Sequence, residues 1–112
     1  MGNKKYIKGF LEDIVLHLIN EEGEMYGYEI TQKVRELSQG AITITEGALY
    51  PILHKLEREA KLTVSYRKIA GRLRKYYRLT PEGGVRATTA SIELTQFLAG
   101  LAGLFNLNPQ KA

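Results

Sequence analysis

The sequence predicts a mainly α fold with one small β-hairpin, and three observations predict it. Apolar residues recur at helical spacing in four separate stretches. Between the third and the fourth lie two short runs with the alternation of half-buried strands, separated by a glycine turn. Cations concentrate on that hairpin: Arg67, Lys68, Arg72, Arg74, Lys75 and Arg78 fall between Tyr66 and Arg78 with no acid among them. The 112-residue chain carries a net charge of +4, and without those six cations the remaining ten face twelve acids, a net −2. The basic excess is therefore local. A helix followed at once by a basic two-stranded wing is the layout of a winged helix-turn-helix, here with a further helix behind it.

The bounds are simple. A chain of this length is one domain with a modest core, for which an oligomer is unsurprising. With 44% apolar and 25% charged residues it is an ordinary globular composition. There is no cysteine, which excludes disulfides and thiolate metal sites, and His17 and His54 cannot build a metal site alone. The longest apolar-and-glycine run, 97–105, is far too short for a membrane span. No secretory signal pattern is visible, so the cytoplasm is the expected compartment.

Residues 3–21 give the clearest helix. Ile7, Phe10, Leu11, Ile14, Val15, Leu18 and Ile19 keep i, i+3, i+4, i+7 spacing, with Asn3 as cap and Gly23 as stop. Its stripe is wide enough to face a core and a partner subunit. His17 at its edge reads as structural or solvated. A second helix opens at Gly27, carries Ile30, Val34 and Leu37 on one face, and ends near Gly40. Two short helices joined by a tight connection make a helix-turn-helix.

The third helix places Leu49, Ile52, Leu53 and Leu56 on its apolar face. Thr45 suits the N-cap and Glu46 the first turn, where the helix dipole favours an anion, while Thr43 with Glu46 offers an alternative capping box that shifts the start by a turn. Pro51 lies inside this pattern and allows two readings. The helix begins near Leu49 with Pro51 in its first turn, or it begins at Thr45 and bends at Pro51, with Gly47 giving room for the ring. Thr45 is the better cap, which favours the second. The hairpin follows: Leu62, Val64 and Tyr66 alternate on one strand, and Arg74–Thr80 forms the other, with Gly71 free to take positive φ in the turn. Tyr76 and Tyr77 point to opposite faces, so at most one is expected in the core.

Thr80, Pro81 and Glu82 start the last helix as N-cap, first helical residue and first-turn acid. It runs to about Phe105. Ala87, Leu94, Leu101 and Ser91, Leu98, Phe105 form two seven-residue series with the rhythm of a helix packed along another helix. A 25-residue helix is about 37 Å long, more than a compact three-helix unit covers. A second subunit is the expected cover. The organisation read from the sequence is thus a winged-helix domain over 1–80, a C-terminal dimerisation helix over 81–106 and a frayed tail over 107–112.

Three segments closely resemble the signature of PadR-type transcriptional regulators. They are Tyr26-Gly27-Tyr28-Glu29-Ile30, then Gly47-Ala48-Leu49-Tyr50-Pro51-Ile52-Leu53-His54-Lys55-Leu56-Glu57, then Arg74-Lys75-Tyr76-Tyr77-Arg78-Leu79-Thr80-Pro81-Glu82-Gly83. They keep the family's order and spacing and span about residues 7–84. The resemblance implies a winged-helix homodimer, bacterial or phage-borne, that binds a palindromic operator and usually represses. One short C-terminal helix resembles the small-subunit branch. Ala60-Lys61 departs from the family's frequent Gly-Leu after the third helix, and Gly84 replaces a polar or basic residue. Relatives that bind planar drugs use a tryptophan on the last helix, and this chain has none.

Thr45, Gly47, Ala48 and Tyr50 are the candidates for base or groove-wall contact with double-stranded DNA. Lys55 and Arg58, further along, suit phosphate or solvent, and Arg67, Arg72, Arg74 and Lys75 on the wing suit phosphate or the minor groove. Tyr50 has a structural alternative, packing against the wing. The dimer candidates are Ile7, Phe10, Leu11, Leu94, Leu98, Leu101 and Phe105. The resemblance also suggests a small aromatic effector between the dimer's helices, lined by Ile7, Leu11 or Phe97. No nucleophile–base pair, metal cluster or phosphate loop is present, so no catalytic residue, cofactor or enzyme activity is expected. The competing class is a winged-helix protein-interaction module, which has no use for such a wing.

Overall fold

The computed structural model describes residues 7–107. A 3-10 turn, Lys8–Phe10, leads into helix α1, Leu11–Glu22. Leu11, Val15, Leu16, Leu18 and Ile19 of α1 are buried, so this helix forms the middle of the core. Gly23 ends it at φ 91°, and its N–H donates to the Ile19 carbonyl at 2.8 Å. The expected Asn3 cap lies outside the described residues, as does the tail beyond Leu107.

Helix α2, Gly27–Leu37, buries Ile30, Thr31 and Val34. The Tyr26 N–H at its start donates to Glu29 Oε1 at 3.1 Å, satisfying one of the orphan donors of a helix terminus. Leu37, expected on the apolar face, is 68% exposed. The last turn of α2 overhangs the core, so the periodicity runs one turn past the packing. Ser38 then ties the connection, donating to the Val34 carbonyl at 2.7 Å and accepting from the Ile42 N–H at 3.0 Å.

Helix α3, Glu46–Arg58, begins at Thr45, whose hydroxyl accepts from the Ala48 N–H at 3.2 Å. Pro51 therefore sits inside the helix rather than in its first turn. Leu49, Leu53 and Leu56 are fully buried against α1 and its neighbours. Ala60 takes the left-handed conformation at φ 59°, where a glycine would carry no Cβ penalty. Lys61 N–H still reaches the Leu56 carbonyl at 2.9 Å, so the replacement of glycine leaves the ending intact.

Strands β1, Leu62–Ile69, and β2, Arg72–Leu79, pair antiparallel from Leu62 with Leu79 out to Ile69 with Arg72. The turn is only Ala70-Gly71, both at positive φ (51° and 80°), a two-residue geometry that matches strand twist. Met25, just before α2, adds a two-bond bridge to Tyr77, which fastens the wing to the helix-turn-helix.

Helix α4, Pro81–Phe105, starts on the end of α3. Thr80 N–H donates to the Lys61 carbonyl at 3.1 Å, and its hydroxyl donates to the Ala60 carbonyl at 2.6 Å while accepting from Gly83 N–H at 3.0 Å. Gly83 is required here, because a Cβ would overlap the Lys61 carbonyl oxygen. A Cβ on Gly84, by contrast, would meet nothing within 4 Å. Ala87 joins the core and Ala90 is buried, with Arg86 3.7 Å from Asp13 of α1. Asn106, at φ 57°, closes the helix.

Candidate nucleic-acid interface

The outer face of α3 is built from small groups. Thr45, Gly47 and Ala48 are all exposed in its first turn. A Cβ on Gly47 would meet only Thr45 Oγ1, at 3.9 Å. Among the described residues, no side chain other than that of Thr45 comes within 4 Å of the place a Cβ would take.

Tyr50 lies between the two roles expected of it. It remains 36% exposed, yet its ring rests on Gly27 of α2, where a Cβ would lie 2.6 Å from the phenol oxygen. Gly27 is thus small because Tyr50 is large, and two of the motif segments are one contact. Burial, and then the Glu46 carboxylate, raise the Tyr50 pKa, so the phenol stays a neutral hydrogen-bond donor at physiological pH.

Further along α3 the two expected cations differ. Lys55 is bound to Glu12 of α1 and lies 3.7 Å from Glu59; the bond to Glu12 holds its pKa above the ordinary lysine range. That ties it back to α1. Arg58 is exposed, with no ion pair among the described residues.

On the wing the fold brings acids to a stretch that has none of its own. Glu24, from the α1–α2 turn, pairs with Arg67 and lies 3.2 Å from Arg78. Glu57 of α3 lies 3.5 Å from Lys75. Arg74 stacks 4.2 Å above the Tyr26 ring, and contact with Tyr76 raises its pKa further. Lys68 and Arg72, next to the turn, have no ion pair among the described residues. Part of the expected DNA-facing charge is therefore balanced within the chain, and the cations without an ion pair among the described residues include Arg58 on α3 and Lys68 and Arg72 at the wing tip.

Tyr76 and Tyr77 depart from expectation. They do point to opposite faces, but both are buried, at 8% and 1% exposure. Tyr77 faces the core. Tyr76 is covered from the other side by the edge of Tyr26, with centroids 5.4 Å apart, and by the Arg67 guanidinium at 4.0 Å. Alternation along the strand fixes which way a side chain points and not what covers it. The signal that could have found this was the pairing of tyrosines in the first and third motif segments.

The dimer candidates also separate. Leu11 is buried in its own chain's core and has no side chain left to offer a partner. Ile7 and Phe10 are half-buried, and Phe10 meets Phe97 of the same chain at 6.3 Å. Leu94 and Leu101 are half-buried, whereas Leu98 and Phe105 are 51% and 66% exposed. Among the described residues no group of three or more His, Asp or Glu could hold a metal ion, and no helix is long and apolar enough to cross a membrane.

The comparisons with known proteins agree with this geometry. Residues 15–89 match the transcriptional regulator PadR-like family. Transcriptional regulator Rv3488 of Mycobacterium tuberculosis is 37% identical over 75 residues, covering 65% of this chain and 67% of that protein. A transcriptional regulator from Clostridium thermocellum, Cth-833, superposes with a TM-score of 0.76 at 30% identity, over 90% of this chain and 94% of the other. PadR of Bacillus subtilis, solved in complex with operator DNA, superposes with a TM-score of 0.63 at 28% identity, over 70% of this chain and 45% of that one. The matched segment contains the whole cluster that Tyr26, Gly27, Tyr50, Tyr76 and Tyr77 build together, and the chain belongs to the PadR-like family of transcriptional regulators.

Proposed function

We propose that this regulator is a homodimeric, sequence-specific DNA-binding repressor of the cytoplasm that recognises a palindromic operator. The exposed first turn of α3, with Thr45, Gly47 and Ala48, enters the major groove and reads base edges. Lys68 and Arg72 at the wing tip, and Arg74 below them, hold the flanking backbone, with Arg58 as a further phosphate contact. The observation that carries this is the split among the wing cations: Glu24 engages Arg67 and Arg78 towards the wing base, and Lys68 and Arg72 at the tip have no ion pair among the described residues. Residual charge of that kind supplies affinity for phosphate without sequence information.

The two-fold partner covers α4. Each copy offers Leu98, Leu101 and Phe105, and every contact occurs twice. Two α3 helices must sit roughly 34 Å apart to enter successive major grooves. A small aromatic effector would take the mainly apolar cleft of about 240 Å³ between α1 and α4, which Ile14, Leu18, Leu94 and Leu98 line in place of the expected Ile7, Leu11 or Phe97. A gel shift with the region upstream of its own gene tests the reading. A discrete, salt-sensitive complex that survives excess random DNA is expected. Failure to prefer that region over random DNA at any salt concentration favours the protein-interaction alternative.

A further inference from the structure

A pocket of about 210 Å³ opens where α2, α3 and the wing meet, lined by Tyr26, Gly27, Tyr50, Arg74, Lys75 and Tyr77, with Leu73 at its margin. Its composition is one-sided. It offers phenols, an ammonium and a guanidinium, and no carboxylate lines it. Three acids lie nearby: Glu57 is 3.5 Å from the pocket's own Lys75, a contact that a bound anion would replace, Glu29 accepts from the Tyr26 N–H at 3.1 Å, and Glu46 acts on Tyr50 only through its charge.

One atom of a residue that lines this pocket is unexplained by the fold. The Tyr77 hydroxyl is buried with no hydrogen-bond partner, in a residue only 1% exposed. Leaving a buried hydroxyl unpaired is costly, and a phenylalanine would have filled the same space without that cost. Lys75, whose side chain crosses the Tyr77 ring at 5.2 Å, cannot relieve it as an acceptor, because an ammonium only donates. Burial works to lower the Lys75 pKa, but contacts with Tyr77 and Glu57 outweigh it and raise it, so the charge persists. A phenol proton without an acceptor, beside a persistent cation, is complementary to an anionic oxygen.

We infer that this pocket seats one phosphate group, with the Tyr77 hydroxyl donating to a phosphate oxygen and Lys75 balancing its charge. The inference rests on the DNA-binding reading for its first source, a phosphodiester of bound DNA, because the pocket lies between α3 and the wing. Free phosphate is the second source and does not depend on that reading. In either case Tyr77 is the positioning donor of the pocket.

The test uses the full chain and Tyr77→Phe, which removes one oxygen. The unfolding midpoint should stay the same or rise, since an unpaired buried hydroxyl is lost. Affinity for DNA should fall about tenfold for operator and random sequence alike, the scale of a hydrogen bond to a charged group. The dependence on salt should not change, because no charge is removed, whereas Lys75→Gln should lower the salt slope by about 1. In parallel, inorganic phosphate is titrated against chloride at matched ionic strength, read from the backbone amide resonances of Gly27 and Tyr50. Saturable shifts in the wild type that vanish in Tyr77→Phe, with DNA affinity unaltered, assign the pocket to free phosphate. Wild-type behaviour of Tyr77→Phe in both titrations overturns the pocket and leaves the DNA-binding reading standing. Failure of the wild type itself to bind DNA overturns that reading, and the phosphate titration then decides the pocket alone.

Discussion

Helix α3 and the second half of α4 each bury one face and leave the other bare, and the two bare faces are opposites. On α3 the uncovered residues are small or polar: Thr45, Gly47, Ala48 and His54. On α4 they are large and apolar: Phe97, Leu98, Leu104 and Phe105. Water tolerates the first surface at little cost. The second forgoes about 25 cal/mol for each Å² of apolar area left wet, so a protein surface is its natural cover. A face trimmed to small groups suits close approach to a polyanion. A face that keeps large apolar groups suits contact with another protein.

Making the α4 face resemble the α3 face should have the largest effect. Leu94→Asp with Leu98→Asp is expected to give a folded or partly folded monomer that does not bind operator at wild-type concentrations. Truncating one buried leucine already costs about 2–5 kcal/mol, and each loss counts twice in a two-fold dimer. Sedimentation of a double mutant that stays dimeric, with intact DNA binding, would place the interface elsewhere.

The joint between the two helices comes next. Gly83→Ala must displace the Lys61 carbonyl and should cost roughly 1–3 kcal/mol of stability in urea unfolding. Gly84→Ala meets open space and should instead stabilise by up to about 1 kcal/mol through helix propensity. Equal effects of the two would mean that the close approach at Gly83 does not persist in solution.

Gly47 sharpens the contrast from the DNA side. Gly47→Ala adds a methyl to an uncovered face, so stability should rise by up to about 1 kcal/mol while operator affinity falls. Calorimetry and a binding titration on the same preparation separate the two changes. A variant that is more stable and binds as well as the wild type would remove Gly47 from the interface.

The smallest expected effect concerns charge. Arg72→Gln and Arg74→Gln should each weaken binding to all sequences similarly and lower the salt slope by about 1. Lys55→Gln, whose ammonium is occupied by Glu12, should leave the slope alone. A reversed order would put the phosphate contact on the body of α3 and take it off the wing.

The fold was legible wherever the deciding physics is local. Thr45 and Thr80 announce their helices because a hydroxyl three residues before a free N–H can cap it, and Gly71 announces its turn because a positive φ favours glycine. The wing as a basic element was equally plain from its run of cations. What stayed hidden depends on partners distant in sequence. Glu12 reaches Lys55 across 43 positions, and Glu24 reaches Arg78 across 54. Met25 bridges Tyr77 from outside any strand that alternation could reveal. Leu37 shows the converse failure, since a correct period continued beyond the surface that could cover it. Ala60 shows that an unfavourable residue can hold a required conformation when the hydrogen bonds around it are already made.

The attachment of Thr80 to Ala60 and Lys61 gives the molecule a mechanical property. Helix α3 and helix α4 meet end to end, held by backbone bonds and by a glycine with no slack. Neither can pivot about the joint without breaking those bonds, so the reading head and the long helix turn as one bent lever. In a dimer whose copies cross along α4, the distance between heads is then governed by the crossing angle. Over a helix about 37 Å long, a change of about 5° displaces the far end by about 3 Å. That is close to the rise of one base pair, so a small rotation at the crossing is enough to put the two heads in or out of step with the DNA.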